Sequence, residues 1–460
     1  MKKYLHLFLF ALLSISAQAQ LTPAITLTAE VDGNQREFTF AVADTPHTLQ
    51  IDWGDGTLVE TEEIPVNSDG WTYQSVYGTP VGNGEIKIYG DGITLFYCSS
   101  RVDGAQITAL DVSGAPMLDE LVCNTNSITT LDLSSNTALT DLTCSNNPIA
   151  VLDLKANTAL TSIEATNMQL ESIDLTNCTA LTTLRLNDNR LTDIDLSANT
   201  ELASLYLLDN QITDIDLSKN TKLTYVSLNN NLLTSVDVTA CENLGSFFCM
   251  NNLLTEANFE NVTKSVNIRG NNFTLATLPV ANSTSYFYDQ QKPMQIAETI
   301  GVGETIDLSE QNNITGLEDG PQATTYTWIT VKGDTLKAGS DYTEEAGKFT
   351  FLAEQDSIYC AMETKAFPSF TGVNAFKTTT VEVTGGESIS SASAGEPVIR
   401  GGKGLIEAYN LPEGSTIEVY DLSGRKVAVQ DVTGNRTTFN VKPGLYIVSV
   451  NGMARKVSAM

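Results

Sequence analysis

Two apolar alternations repeat side by side through the middle of the chain. In residues 181–201, Leu184 and Leu186 stand two apart, Leu191 follows, and then Ile194 and Leu196 flank Asp195. A two-residue period places alternate side chains on opposite faces of a strand, so each unit predicts a short strand with an apolar inner face. The pair Leu110-Asp111 returns every 21 residues as Leu131-Asp132, Leu152-Asp153, Ile173-Asp174, Ile194-Asp195, Ile215-Asp216 and Val236-Asp237. A leucine column at Leu118, Leu139, Leu160, Leu181, Leu202, Leu223 and Leu244 keeps the same step. A unit this short cannot bury its apolar face alone, so the units stack into a solenoid.

The strand positions begin at Leu121, Leu142, Ile163, Leu184, Leu205, Val226, Phe247 and Val266. Stacked as a parallel sheet at about 4.8 Å per rung, they span roughly 35–40 Å. An asparagine column follows the strands at Asn126, Asn147, Asn189, Asn210, Asn231, Asn252 and Asn271. Turned inward, these amides can satisfy backbone groups where the strand bends away. Met168 interrupts the column, so the third rung is expected to be irregular, and the last step, Phe247 to Val266, is shortened. The Ile-Asp-Leu alternation predicts a second short strand on the other side of each coil, with little room for helix.

The LxLxxNxL spacing closely resembles the leucine-rich-repeat family, in particular the repeats of Bacteroidetes and of internalin-like surface proteins. The resemblance implies a mainly β solenoid that binds a protein ligand, as an adhesin would. The flanks read as smaller β units. In residues 20–95, Asp52-Trp53-Gly54-Asp55-Gly56 resembles the signature of polycystic-kidney-disease (PKD) type sandwiches, and the runs at 85–89 and 93–98 are expected to cap the solenoid. Residues 96–280 form the solenoid. Residues 281–384 carry several short apolar alternations, and Trp328 with the stretch around Tyr359-Cys360 resembles a disulfide-free immunoglobulin-like sandwich. Residues 385–397 are a Gly/Ser-rich linker. Residues 398–460 hold Ile417-Glu418-Val419-Tyr420-Asp421-Leu422-Ser423-Gly424-Arg425, then Pro443-Gly444-Leu445-Tyr446, then the basic Arg455-Lys456. This order resembles the C-terminal sorting domain of type IX secretion substrates. It implies recognition by that machinery, with the protein attached to the bacterial outer membrane or released.

Residues 1–19 read as a secretory signal: Lys2 and Lys3 precede an apolar run, and Ala17-Gln18-Ala19 supplies the small residues for cleavage. No other run is long enough to span a membrane. The net charge is −29 and the pI near 4.3, which disfavours nucleic acid or anionic lipid as partners.

The seven cysteines lack CxxC spacing. Cys123, Cys144 and Cys249 take inward strand positions, while Cys178 and Cys241 stand in the column of Asn136, Asn157, Asn199 and Asn220. They are expected as packed thiols. Beyond the signal the only histidine is His47, and no HExxH, P-loop or GxSxG motif is present, so neither an enzyme nor a cofactor is expected. Asp52 and Asp55 are weak cation candidates, and the aspartate column is another. Binding is expected at outward strand positions: Arg185, Tyr206, Leu208, Tyr225, Phe248 and Met250. Three alternatives stand beside a protein ligand: a glycan held on the same aromatics, a spacer without a ligand, or burial of these residues under the following domain.

Overall fold

A computed structural model describes residues 22–67, 72–99, 106–384 and 398–459, the last range without 403, 404, 410, 412, 413, 422, 423, 434, 435, 443 and 452. The signal segment, the linker, and Leu422, Ser423 and Pro443 of the sorting motif lie outside the described residues. The fold is mainly β. Among the described residues the helical segments are two short 3-10 turns, Ser309–Gln311 and Gly372–Asn374.

A 12-stranded sheet organises the molecule. Its parallel part begins at Ile93–Tyr97 and continues through Glu120–Val122, Asp141–Thr143, Ser162–Glu164, Thr183–Arg185, Ser204–Tyr206, Tyr225–Ser227, Ser246–Phe248, Ser265–Asn267 and Ser285–Phe287. In the short strands from Glu120–Val122 to Ser265–Asn267 the middle residue points inward, as Leu184 and Leu205 do, and is buried, while Tyr286 in the last strand is partly buried. The parallel ladder runs one rung past residue 280.

The asparagine column lies between coils. Asn210 Nδ2 donates to the carbonyls of Leu186 (2.9 Å) and Leu207 (3.1 Å), and the Leu191 N–H donates to its Oδ1 (3.1 Å). One side chain thus satisfies groups on adjacent coils at a bend where no backbone partner is in reach. The preceding position has φ near +55° at Asn146, Asn167, Asp188, Asp209, Asn230 and Asn251, and Gly270 is also positive. Asn, Asp and Gly carry that conformation at least cost, and they fill every position of this column through Gly270 but the first, where Thr125 has φ +57°. Gln291 ends the ladder in place of an asparagine: its Nε2 donates to Ile268 and Tyr288 carbonyls, and Gln290 before it has φ +59°.

The third rung corrects an expectation. Ser162–Glu164 pairs in unbroken register with both neighbours, and Asn167 keeps the common φ. Met168 is buried with its sulfur 3.8 Å from Cys144 Sγ. The coil tolerates it because apolar packing and the turn geometry survive. What it lacks is an acceptor for the Ile149 N–H, the group equivalent to that of Leu191.

The expected second strand is also mostly absent. Away from the N-terminal unit, among the described residues only Ser235–Asp237 and Glu256–Asn258 pair as strands on that side of the solenoid. Elsewhere adjacent coils meet there through isolated bonds, such as Thr213 N–H to Thr192 O (3.3 Å). Each aspartate caps the turn that follows, in the paired rung as in the others: the Ser197 N–H donates to Asp195 Oδ1 (2.9 Å) and the Thr239 N–H to Asp237 Oδ1 (2.9 Å).

All seven cysteines are free and buried. Cys178 Sγ lies 3.9 Å from Leu154 O and 3.8 Å from Asn157 O. These are the carbonyls that an asparagine there would serve, since Asn199 Nδ2 donates to Leu175 O and Cys178 O one coil on. The Oδ1 atoms of Asn136, Asn157, Asn199 and Asn220 have no partner, so a thiol, which keeps a weak donor, gives up no acceptor contact.

The N-terminal unit merges with the solenoid. Arg36–Val42 pairs with Ile93–Tyr97, extending the large sheet, and Ile107–Asp111, which carries the first Leu-Asp pair, joins the facing sheet beside Ile25–Ala29. The expected cap therefore divides: Ile93–Tyr97 is the first parallel rung, and Glu85–Tyr89 belongs to the facing sheet. Phe38 stacks on Trp53 (5.4 Å), whose ring occupies the place a Cβ on Gly78 would take.

At the other end, Tyr288 packs edge-on against Phe367 and Phe370 and accepts the Ser369 N–H (2.9 Å). The unit so attached is a two-sheet sandwich with Trp328 between Phe349 and Phe351. One hydrophobic core runs without a break from Ala24 to Val383. Residues 398–459 form two further sheets around their own core, which includes Ile406, Ile417, Phe439 and Val448.

Candidate binding surface

In the strands from Glu120–Val122 to Ser204–Tyr206 and in Ser246–Phe248, the first and third residues face away from the core and are half-buried. On this face Tyr206 and Tyr225 stack with centroids 4.7 Å apart, and Phe248 lies 5.5 Å beyond Tyr225. Their contact is diagonal, because Tyr206 is in register with Ser227 and Tyr225 with Ser204. Long aromatic side chains reach across that diagonal, and the two serines leave room for the rings. The Arg185 guanidinium caps the row, 3.9 Å from the Tyr206 centroid. Arg185, Tyr206, Tyr225 and Phe248 therefore form one continuous stack. Leu208 and Met250 lie two residues past Tyr206 and Phe248, half-buried, and have no part in the ring contacts. Burial, with Tyr206 beside it, raises the Tyr225 phenol above its ordinary pKa. Neither the Tyr206 nor the Tyr225 hydroxyl makes a hydrogen bond among the described residues. The unit after the solenoid docks through Tyr288 at its end, and the stack keeps its own rings as neighbours.

The same face changes character toward the N-terminal unit. Glu120, Asp141 and Glu164 stand on three successive strands. Tyr97 donates to Glu120 Oε1 (2.5 Å), and burial beside Glu120 raises the Asp119 carboxyl. Glu164 is in register with Arg185, yet the two form no ion pair. The guanidinium lies on Tyr206 instead.

The other candidate residues serve turns. Asp52 Oδ1 accepts the N–H groups of Gly54 and Gly56 (both 2.9 Å), and Asp55 Oδ1 accepts that of Thr57 (2.8 Å). The carboxyls of Asp132, Asp174, Asp195, Asp216 and Asp237 are held below the usual range by hydrogen bonds from the following Ser or Thr. Among the described residues no three His, Cys, Asp or Glu side chains are placed to hold a metal ion. The ring nitrogens of His47 sit 3.0 Å from Thr45 O and 3.1 Å from Asp91 O. An open groove of 730 Å³ on the turn side is lined in part by Leu110, Asp132, Val151 and Lys155. No described helix is long and apolar enough to cross a membrane.

Sequence reasoning placed the aromatic residues on this face but missed their stacking and the role of Arg185 in it. It also missed the left-handed column, which the recurrent Asn/Asp before most of the ladder asparagines could have signalled.

The profile for leucine-rich repeats (two copies) matches residues 179–220. No curated relative matches the chain. Among solved structures, the functional domain of InlJ from Listeria monocytogenes, which includes a cysteine ladder, is similar at 18% identity and TM-score 0.34, covering 63% of this chain and 81% of that one. The internalin InlF from Listeria monocytogenes is similar at 20% identity and TM-score 0.32, covering 44% and 75%. A leucine-rich-repeat protein of Leptospira interrogans is similar at 18% identity and TM-score 0.35, covering 42% and 61%. Residues 179–220 match the leucine-rich-repeat profile, and the strands on either side continue their parallel register.

Proposed function

We propose that this is a non-catalytic, exported bacterial surface protein whose solenoid binds a protein partner on its strand face. The observation that carries the reading is the continuous stack of Arg185, Tyr206, Tyr225 and Phe248 on the outward face of the parallel strands. Large aromatic side chains and arginine dominate the energy of protein interfaces, and a pre-stacked row loses little freedom on binding. Residues 398–460 act in this reading as the type IX sorting domain, and residues 20–95 and 281–384 as PKD-like and immunoglobulin-like units that hold the solenoid.

The stack favours a protein ligand over a glycan. A sugar packs its C–H face on an open aromatic face, whereas both faces of Tyr206 are covered, by Arg185 and by Tyr225. What remains outward are ring edges and two hydroxyls, which suit side chains and backbone groups of a polypeptide.

The test compares the whole chain with its Tyr206→Ala/Tyr225→Ala/Phe248→Ala variant in a pull-down from host-cell and bacterial surface extracts and on a glycan array. The expected result is a protein captured by the parent and lost by the variant, with the β circular dichroism unchanged. Capture by both would remove the strand face from the account. Glycan binding alone would replace the protein ligand, and silence in both arms would favour a spacer.

A further inference from the structure

We propose that the partner's bound segment is cationic at one end and apolar at the other, and that it lies across the strands with its cationic end toward the N-terminal unit. This rests on the strand-face reading above. Glu120, Asp141 and Glu164 stand on consecutive strands of one face: Glu120 and Asp141 are in register, about 4.8 Å apart, and Glu164 lies on the diagonal from Asp141, roughly 7–8 Å away. None of them receives an ion pair from the described residues, although Arg185 is in register with Glu164. Three neighbouring carboxylates without a counter-charge repel one another, and a partner's Lys or Arg groups relieve that repulsion. Arg185 does not do so, because its guanidinium lies on Tyr206. It marks the border between the charged rungs and the aromatic ones.

The geometry sets the length of the segment. From Glu120–Val122 to Ser246–Phe248 the sheet takes six strand-to-strand steps, about 29 Å at its ordinary spacing. An extended segment of roughly nine residues covers that distance. Small residues at Ser162 and Thr183 line the way from the carboxylates to the stack.

The test uses labelled synthetic peptides of about ten residues and the whole chain, read by fluorescence anisotropy. One peptide has three lysines at one end and Leu, Phe and Leu at the other. The second replaces the lysines with glutamates, and the third replaces the apolar end with serines. The lysine peptide should bind at least about tenfold more tightly than either, and weaken as salt rises. Glu120→Lys/Asp141→Lys/Glu164→Lys should reverse the preference between the first two. Glu171→Lys/Asp193→Lys/Asp214→Lys, equal in charge but on the exposed turn side, should leave it unchanged. Equal binding of the lysine and glutamate peptides, binding of no peptide, or an equal effect of the turn-side variant overturns the proposal. If the aromatic triple variant weakens every peptide while charge makes no difference, the strand-face reading survives and only this inference fails. If the aromatic variant binds as the parent does, the strand-face reading fails with it.

Discussion

The Arg185 guanidinium rests 3.9 Å from the centre of the Tyr206 ring, although the carboxylate of Glu164 stands beside it in register on the next strand. An exposed cation over an aromatic face is worth about 0.5–1 kcal/mol. Arg185→Met should therefore lower the unfolding free energy by about that amount in a urea titration. Its effect on partner binding should be larger, because the row loses its charged cap. A stability loss with unchanged affinity would make Arg185 a packing residue only.

The ladder of Asn210 predicts a sharper loss. Asn210→Ala leaves the Leu191 N–H and the carbonyls of Leu186 and Leu207 without this side chain's bonds. Each buried backbone group left unpaired costs about 1–3 kcal/mol, so the variant should lose roughly 2–4 kcal/mol after partial relaxation. Met168→Asn is the converse experiment. It restores an acceptor for Ile149 and should stabilise the chain by about 1 kcal/mol. Equilibrium unfolding of both variants checks the pair, and a destabilised Met168→Asn would mean that the contact with Cys144 matters more than the ladder.

Two cysteines should respond in opposite ways to the same change. Cys178→Asn puts an amide where the thiol faces Leu154 O and Asn157 O, and should be neutral or stabilising. Cys123→Asn puts one into an apolar position and should cost about 2–4 kcal/mol. Thermal melts compare them. With all seven thiols free and buried, a thiol reagent should label none in the native chain and every one after denaturation.

The pH dependence has two edges. The turn aspartates, among them Asp195 and Asp216, have depressed carboxyl pKa values in the folded chain. Their contribution is present above the unfolded value of about 3.9 and is lost as pH falls through the folded values. The thiols of Cys178 and Cys241 are pushed up to about 11 by burial. Their contribution is present below the unfolded value of about 8.5 and is lost as pH rises through the folded one. Melting temperature should therefore hold level from about pH 5 to 8 and decline on both sides. Asp195→Asn/Asp216→Asn keeps the turn acceptor without the charge and should flatten the acid side. An unaltered acid slope would assign it to other carboxylates.

Much of the fold was legible because a solenoid repeats its constraints. A column such as Leu118 to Leu244 faces one core at every step, so one coil's chemistry could be read from its neighbours. Features that depend on single side chains were not. Gln291 ends the asparagine ladder under a different letter, and Met168 sits in a rung whose backbone hardly registers its presence. The merging of the N-terminal unit with the solenoid depends on pairs such as Leu27 with Leu110, far apart in the chain. At the candidate site, alternation showed which residues face outward. The diagonal contact of Tyr206 with Tyr225, and the choice of Arg185 between Glu164 and Tyr206, depend on side-chain geometry that periodicity does not contain.

Because one core runs from Ala24 to Val383, the decisive measurement uses the whole chain. A photoreactive benzoylphenylalanine replaces Tyr225 in one preparation and Val151, exposed on the turn side, in another. Each is illuminated in surface extracts, and covalent adducts are resolved by mass. The account predicts a discrete protein adduct from position 225 and none from position 151. An adduct from position 151, with none from 225, would contradict it.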